Sequence, residues 1–239
     1  RRVNLVTDSI NSGSLFGGVA TSMILSTLLA EHWGCHLRII TRTQKPNKEN
    51  YKNILQPNEI TLPRNLEFSF AYFQDPKAEI PVGDGDIFLT TSWWTTWSVR
   101  ETFGSRKIIY LLQEDERSFY PLGDDHIRCS ELLRDPEIRF CINTRILYDY
   151  LIDEGFQNLH NNGCFFEPAW PKTIFYPGQT NSKPLKDFFL YARPNHIRNL
   201  FYRSLEAVDA AVRRGVLNPS EWNFHFVGKG IPNACIGHQ

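Results

Sequence analysis

The feature that most limits the fold of this chain is a regular exchange of short strand-like runs with helical stretches from Val3 to Glu154. "VNLVTD" (Val3 to Asp8) alternates valine and leucine with polar residues, the period of a strand. "GVATSMILSTLLAEHWG" follows as a helix with Val19, Met23, Ile24, Thr27 and Leu28 on its inner face and Gly34 as its stop. "CHLRIITR" then completes a β-α-β unit. Further strands are expected at Leu66 to Phe73, Asp86 to Ser92, Arg106 to Gln113 and Ile138 to Thr144. Helices are expected around Tyr51 to Leu55, Thr95 to Phe103, Ile127 to Arg134 and Arg145 to Glu154. Strands that alternate with helices pair in parallel and are covered on both faces, so the fold class is α/β.

Between Glu167 and Lys186 four prolines and clustered polar residues read as a surface linker. Beyond it the alternation starts afresh: "DFFLYARP" as a strand, "RNLFYRSLEAVDAAVRRG" as a helix with Phe201, Leu205, Val208 and Val212 on one face, and "WNFHFVGKG" as a strand. Two domains are therefore expected, residues 1–182 and 183–239. The second is too short to bury a complete core of its own. Phe188, Phe189, Phe201, Leu205 and Phe226 would need cover from the first domain or from another chain, so a homo-oligomer is among the expected partners. The chain begins without Met and ends at "GHQ", and it reads as part of something longer.

Charge and cysteine content narrow the function classes. Lys plus Arg equals Asp plus Glu at 26 each, so no global field favours nucleic acid or an anionic membrane. Any anion site has to be local. No run approaches the eighteen or so apolar residues of a membrane span, and the basic start reaches Asp8 before any long apolar stretch. Cys35, Cys129, Cys141, Cys164 and Cys235 form no C-x-x-C pair, and they look like reduced residues of a cytosolic protein. The seven histidines, His32, His36, His126, His160, His196, His225 and His238, show no metal-ligand spacing. Neither a metal nor a cofactor is expected. The expected location is the cytoplasm, with the inner face of the membrane as an alternative.

"SLFGGVATS" places Gly17 and Gly18 where the first strand hands over to the first helix. In open α/β sheets that crevice binds ligands, because a helix N-terminus offers unpaired N–H groups to an anion such as a phosphate. A tight turn with positive φ is the competing reading of the pair. A nicotinamide fold would show G-x-G-x-x-G directly after the strand and an acidic residue closing the second strand, whereas here the glycines are adjacent and the second strand ends "IITRT". No G-K-[ST] occurs, which excludes a P-loop.

Six stretches carry a family resemblance through nearly the whole chain: "FGGVAT" (Phe16 to Thr21), "TSWWT" (Thr91 to Thr95), "LLQEDERSFYPLG" (Leu111 to Gly123), "INTRILYDYL" (Ile142 to Leu151), "FFEPAW" (Phe165 to Trp170) and "YARPNHIRNLF" (Tyr191 to Phe201). The chain resembles the WsaF-type rhamnosyltransferase group of the retaining GT-B glycosyltransferases. That likeness implies a Rossmann-like domain followed by the start of a second one. It also implies a donor diphosphate in a cleft, touched by Gly17 and Gly18 on one side and by Arg193 on the other. Backbone N–H groups and an Arg fork suit the charge that develops on a departing nucleoside diphosphate without requiring a metal. Lys229 reads instead as a solvated loop residue.

"TSWWTTW" holds three tryptophans in five residues, Trp93, Trp94 and Trp97. Aromatic faces stack on sugars, so Trp93 or Trp94 is the candidate acceptor platform while at least one ring belongs to the core. Where the family tends to read "IQDYE" this chain has "LQEDE". Gln113 and Glu116, rather than Glu114 and Asp115, are therefore the candidates for binding acceptor or ordering the cleft. The implied activity is transfer of a deoxysugar, rhamnose from dTDP-rhamnose, to a surface polysaccharide. The rival expectation is a non-catalytic carbohydrate- or nucleotide-binding module on the same scaffold.

Overall fold

The computed structural model describes residues 1–14, 17–178, 185–196, 199–233 and 236. Phe16 of the glycine-rich stretch, residues 179–184 of the proline-rich stretch, Ile197 and Arg198, Cys235 and His238 lie outside the described residues. The chain divides into two compact units, Arg1–Tyr176 and Pro177–Gln239.

The first unit runs β1 (Arg2–Thr7), α1 (Gly17–His32), β2 (His36–Thr41), α2 (Lys48–Leu55), β3 (Leu66–Phe70), β4 (Ile87–Thr90), α3 (Trp93–Phe103), β5 (Ile108–Leu112), α4 (Asp124–Leu133), β6 (Arg139–Asn143), α5 (Arg145–Asp153), α6 (Leu159–Asn162) and β7 (Gly163–Phe166). Its seven strands form one sheet in the order β3-β2-β1-β4-β5-β6-β7. Every pairing is parallel. This is the Rossmann-like α/β sheet that the alternation predicts. β1 and β2 are buried along nearly their whole length, as strands covered on both faces must be. Two clusters fill the two faces, one around Leu5, Met23, Leu37, Ile39 and Tyr51, the other around Phe88, Tyr110, Leu132, Phe140 and Phe156.

Two local outcomes differ from expectation. The inner face of α1 is Ser22, Met23, Ser26, Thr27 and Ala30, while Leu28 is 45% exposed. Ser22, Ser26 and Thr27 donate to the carbonyls of Val19, Met23 and Met23, so each hydroxyl is satisfied inside the helix and small side chains can face the sheet. β7 and the short α6 are additional elements. A four-residue apolar run against a proline-rich stretch carries little periodicity, and Gly163 is required there because a Cβ would lie 2.7 Å from the Leu159 carbonyl oxygen.

The connection from β3 to β4, residues 71–86, contains no helix, and the sequence pattern places none there. A strap takes the place of one, and buried charge pins it. Arg38, 1% exposed, donates through Nη1 to the Pro81 carbonyl (2.8 Å) and through Nε to Asn4 Oδ1 (2.7 Å). Arg2 donates to the same carbonyl (3.1 Å) and to Asp86 (3.3 Å). Burial opposes ionisation of Asp86, yet the Gly83 N–H and Arg2 hold its carboxyl below the ordinary value.

The second unit is β8 (Lys186–Ala192), α7 (Phe201–Arg213) and β9 (Trp222–Gly228), with β8 and β9 parallel. Gly228 ends β9 opposite Ala192 so closely that a Cβ there would overlap the Ala192 carbonyl, and only glycine fits. Phe201 and Val208 are buried on α7, and Phe188, Leu205 and Phe226 are half-buried. Of the five aromatic and aliphatic residues expected to need cover, Phe189 alone is exposed, at 64%. No helix among the described residues is long and apolar enough to cross a membrane.

Candidate functional site

The strand order reverses direction between β1 and β4, and in parallel sheets ligands bind outside the carboxyl ends of the strands at that point. The residues that follow β1, β4 and β5 meet there.

Asp8, directly after β1, is fixed by its own backbone. Its carbonyl accepts from the N–H groups of Arg42 (3.1 Å) and Thr43 (2.9 Å) and from the Thr43 hydroxyl (2.9 Å). Its carboxylate Oδ2 accepts from Trp94 Nε1 at 2.9 Å. The polar loop that follows is laced to the next one, since Ser9 and Asn11 both donate to Gln44 Oε1 and the Asn47 N–H donates to Asn11 Oδ1. Arg42 comes to the same edge from β2. Burial lowers the pKa of its guanidinium and the Asp8 charge works against that shift. It also borders a cavity of about 720 Å³ beneath the strap, lined by Val6, Ile40, Phe88, Val99 and Ile80.

Gly17 and Gly18 form the first turn of α1, and neither has a positive φ. The turn explanation of the pair therefore falls away. They serve different ends. Among the described residues nothing lies within 4 Å of where a Cβ would stand on Gly17, which is exposed. At Gly18 the Cβ would lie 3.0 Å from Gln113 Nε2, and that amide donates to the Gly18 carbonyl at 3.0 Å. Gln113 thus ties the end of β5 to the start of α1.

The tryptophans separate by environment. Trp93 is 7% exposed and its Nε1 donates to the Tyr120 hydroxyl at 3.1 Å, inside the core. Trp94 is half-buried at the rim, held edge-on by Asp8. Trp97 lies beneath the guanidinium groups of Arg100, at 4.4 Å, and Arg128, at 5.7 Å. The ring available to stack on a ligand at this edge is Trp94.

Glu116 is 4% exposed and its Oε2 accepts from the Trp93 N–H at 2.6 Å. Together with the Ser92–Thr95 capping box it closes the N-terminus of α3. Burial first, and then the Glu116 charge, raises the pKa of Tyr110 and of the Cys129 thiol behind it. Glu116 therefore sets the helix that presents Trp94 and is itself out of reach of solvent. Asp115 is engaged by Arg117 through two bonds of 2.9 and 2.7 Å, and Arg117 also reaches Glu154 at 3.3 Å, while Glu114 is exposed.

Arg193 follows β8 in the second unit and is half-buried. Its backbone N–H donates to Asn199 Oδ1 at 2.7 Å, and Asn199 in turn donates to the Tyr191 carbonyl, which ties Asn199 to the end of β8. Lys229 is exposed and its N–H donates to the Ala192 carbonyl. Of the expected residues, the structure brings Gly18 to Gln113 and Trp93 to Glu116.

Asp8 and Arg42 are candidate site residues that sequence reasoning passed over. The signal for Asp8 was its place as the first residue after a strand. Among the described residues no three His, Cys, Asp or Glu side chains gather as a metal site. The N-terminal domain of the WsaF family matches residues 2–142, and the C-terminal domain of the same family matches residues 186–239. No curated protein matches the chain.

Proposed function

This chain belongs to the WsaF family, of glycosyltransferase type, and from that premise we propose that it transfers rhamnose from dTDP-rhamnose to a glycan acceptor with retention at the anomeric carbon. The observation that carries the reading is the exposed Gly17 at the start of α1. No described residue stands within 4 Å of where its Cβ would lie, at the switch point of the sheet, and the half-buried Trp94 ring stands at the same edge. A helix N-terminus offers N–H groups and partial positive charge to a phosphate, and an indole face suits a sugar.

In this reading the first turn of α1 is the anion site of the first unit, and in the second unit Arg193 is the guanidinium that would stabilise the charge on a leaving nucleoside diphosphate. No metal is assigned a step. Trp94 and Gln113 order the acceptor side, with Trp93 and Glu116 acting through them. The cytoplasm, where nucleotide sugars are made, is the proposed location.

The test is transfer from dTDP-rhamnose to an acceptor glycan, with donor affinity by calorimetry and the anomeric outcome by NMR. Arg193→Ala should weaken donor binding roughly tenfold to a hundredfold, since a charge-assisted bond contributes about 1.5–3 kcal/mol. Arg193→Lys should recover part of it. A wild-type chain that binds glycan or nucleotide and transfers nothing would favour the binding-module reading.

A further inference from the structure

Two thiols meet on adjacent strands of the first unit, away from the sugar site. β6 and β7 run in the register Phe140↔Gly163, Cys141↔Cys164, Ile142↔Phe165 and Asn143↔Phe166. Register partners in a parallel ladder stand about 4.8 Å apart and point to the same face. That lies inside the Cα separation of roughly 4.4–6.8 Å that a disulfide spans. Cys164 is exposed on the outermost strand of the sheet, and Cys141 is half-buried beside it, packed against the cluster that contains Leu111. Cys129, by contrast, is sealed in the core.

We propose that Cys141 and Cys164 form a peroxide-reactive dithiol that closes reversibly into a cross-strand disulfide. Cys164 is the attacking sulfur, because it is the accessible one and because a thiol close enough to donate a hydrogen bond to it stabilises its thiolate. The direction of the titrations agrees: the hydrogen bond shared with Cys141 lowers the Cys164 thiol to about 6, while that same bond, with burial, raises Cys141.

The steps balance without any group the protein lacks beyond the hydroperoxide itself. The Cys164 thiolate attacks the distal peroxide oxygen, an S–O bond forms, the O–O bond breaks, and the departing alkoxide or hydroxide takes a proton from water. The Cys141 sulfur then attacks the sulfenic sulfur of Cys164. An S–S bond forms, the S–O bond breaks, and hydroxide leaves with the Cys141 proton as water. One peroxide is reduced by two electrons and two thiols are oxidised to one disulfide. A small dithiol reductant reverses it.

The experiment treats the full chain with hydrogen peroxide and maps its peptides by mass spectrometry without reduction. The expected product is a Cys141–Cys164 linked peptide pair that disappears with dithiothreitol. Cys141→Ser should leave a sulfenic acid on Cys164 that dimedone traps, and Cys164→Ser should slow the first oxidation at least tenfold. Recovery of both cysteines reduced after other thiols have reacted would overturn the proposal. So would a wild-type Cys164 that runs on to sulfinic acid, or one that links only between chains. The wild-type peptide map decides the matter even if a serine variant folds poorly.

Discussion

Two helices start at the carboxyl edge of the same sheet, one on each side of the switch point, and their ends are used in opposite ways. The start of α3 is closed from within: the Glu116 carboxylate takes the Trp93 N–H, and the Ser92–Thr95 capping box secures the turn. The start of α1 carries Gly17, which is exposed and has no described residue within 4 Å of where a Cβ would stand. A helix N-terminus attracts anions wherever it lies, so what distinguishes a binding end from a structural one is whether the protein supplies its own anion. Here α3 is the scaffold and α1 the candidate anion site.

Removing the internal anion should have the largest effect. Glu116→Ala leaves a buried N–H without its charged acceptor, and stability should fall by about 1.5–3 kcal/mol in urea denaturation. Glu116→Gln, which can still accept, should lose less. Equal losses for the two would mean that a neutral acceptor cannot replace the carboxylate charge in closing α3, and no loss for Glu116→Gln would mean that the charge contributes nothing.

Supplying an anion at the start of α1 is the converse experiment. Gly17→Asp should stabilise α1 by about 0.3–1 kcal/mol through the helix dipole, and it should also cut nucleotide-sugar affinity at least tenfold by occupying and repelling from the phosphate position. The two readouts move in opposite directions, which simple misfolding does not do. Unchanged donor affinity would remove α1 from the donor site.

Trp94→Phe keeps a ring at the rim and deletes the bond to Asp8. The expected loss is about 0.5–1.5 kcal/mol of stability, with weaker acceptor binding on titration as the ring swings free. An acceptor affinity equal to wild type would show that the indole is not held for a ligand.

Gly18→Ala should be the mildest change. The methyl meets the end of the flexible Gln113 side chain at 3.0 Å, so one hydrogen bond is disturbed, and the gain in helix propensity of roughly 0.5–1 kcal/mol offsets it. A thermal-shift measurement should place it close to wild type. A loss beyond about 2 kcal/mol would show that Gln113 cannot give way.

Much of the frame is legible in the residue order alone. The strands at Val3, His36, Leu66, Ile87, Ile108 and Arg139 fall where alternation places them, because a strand covered on both faces must be an apolar run and its helices must be punctuated by caps and glycines. On the inner face of α1, Met23 and Thr27 are buried as the period places them, whereas Ser22 and Ser26 are not legible there: serines score as polar, and only their bonds to the preceding turn let them face the sheet. The strap of residues 71–86 had no periodic signature, since charges at Arg2, Arg38 and Asp86 hold it in place of an apolar helical face.

The sequence by itself determined the parallel sheet, the two-part organisation of its periodic segments, the family, and the position of a glycine pair between the first strand and first helix. These follow from residue order over a few turns of chain. Tertiary structure decided which of two adjacent tryptophans is core and which stands at the rim, that Glu116 caps a helix, that Gly18 makes room for Gln113, and that Asp8 holds Trp94. The partners involved are 23 residues apart for Trp93 and Glu116, 86 for Asp8 and Trp94, and 95 for Gly18 and Gln113. A hydrogen bond is settled by ångström distances between strand ends, and no local pattern along the chain encodes which ends will be neighbours once the sheet has closed in the order β2-β1-β4-β5.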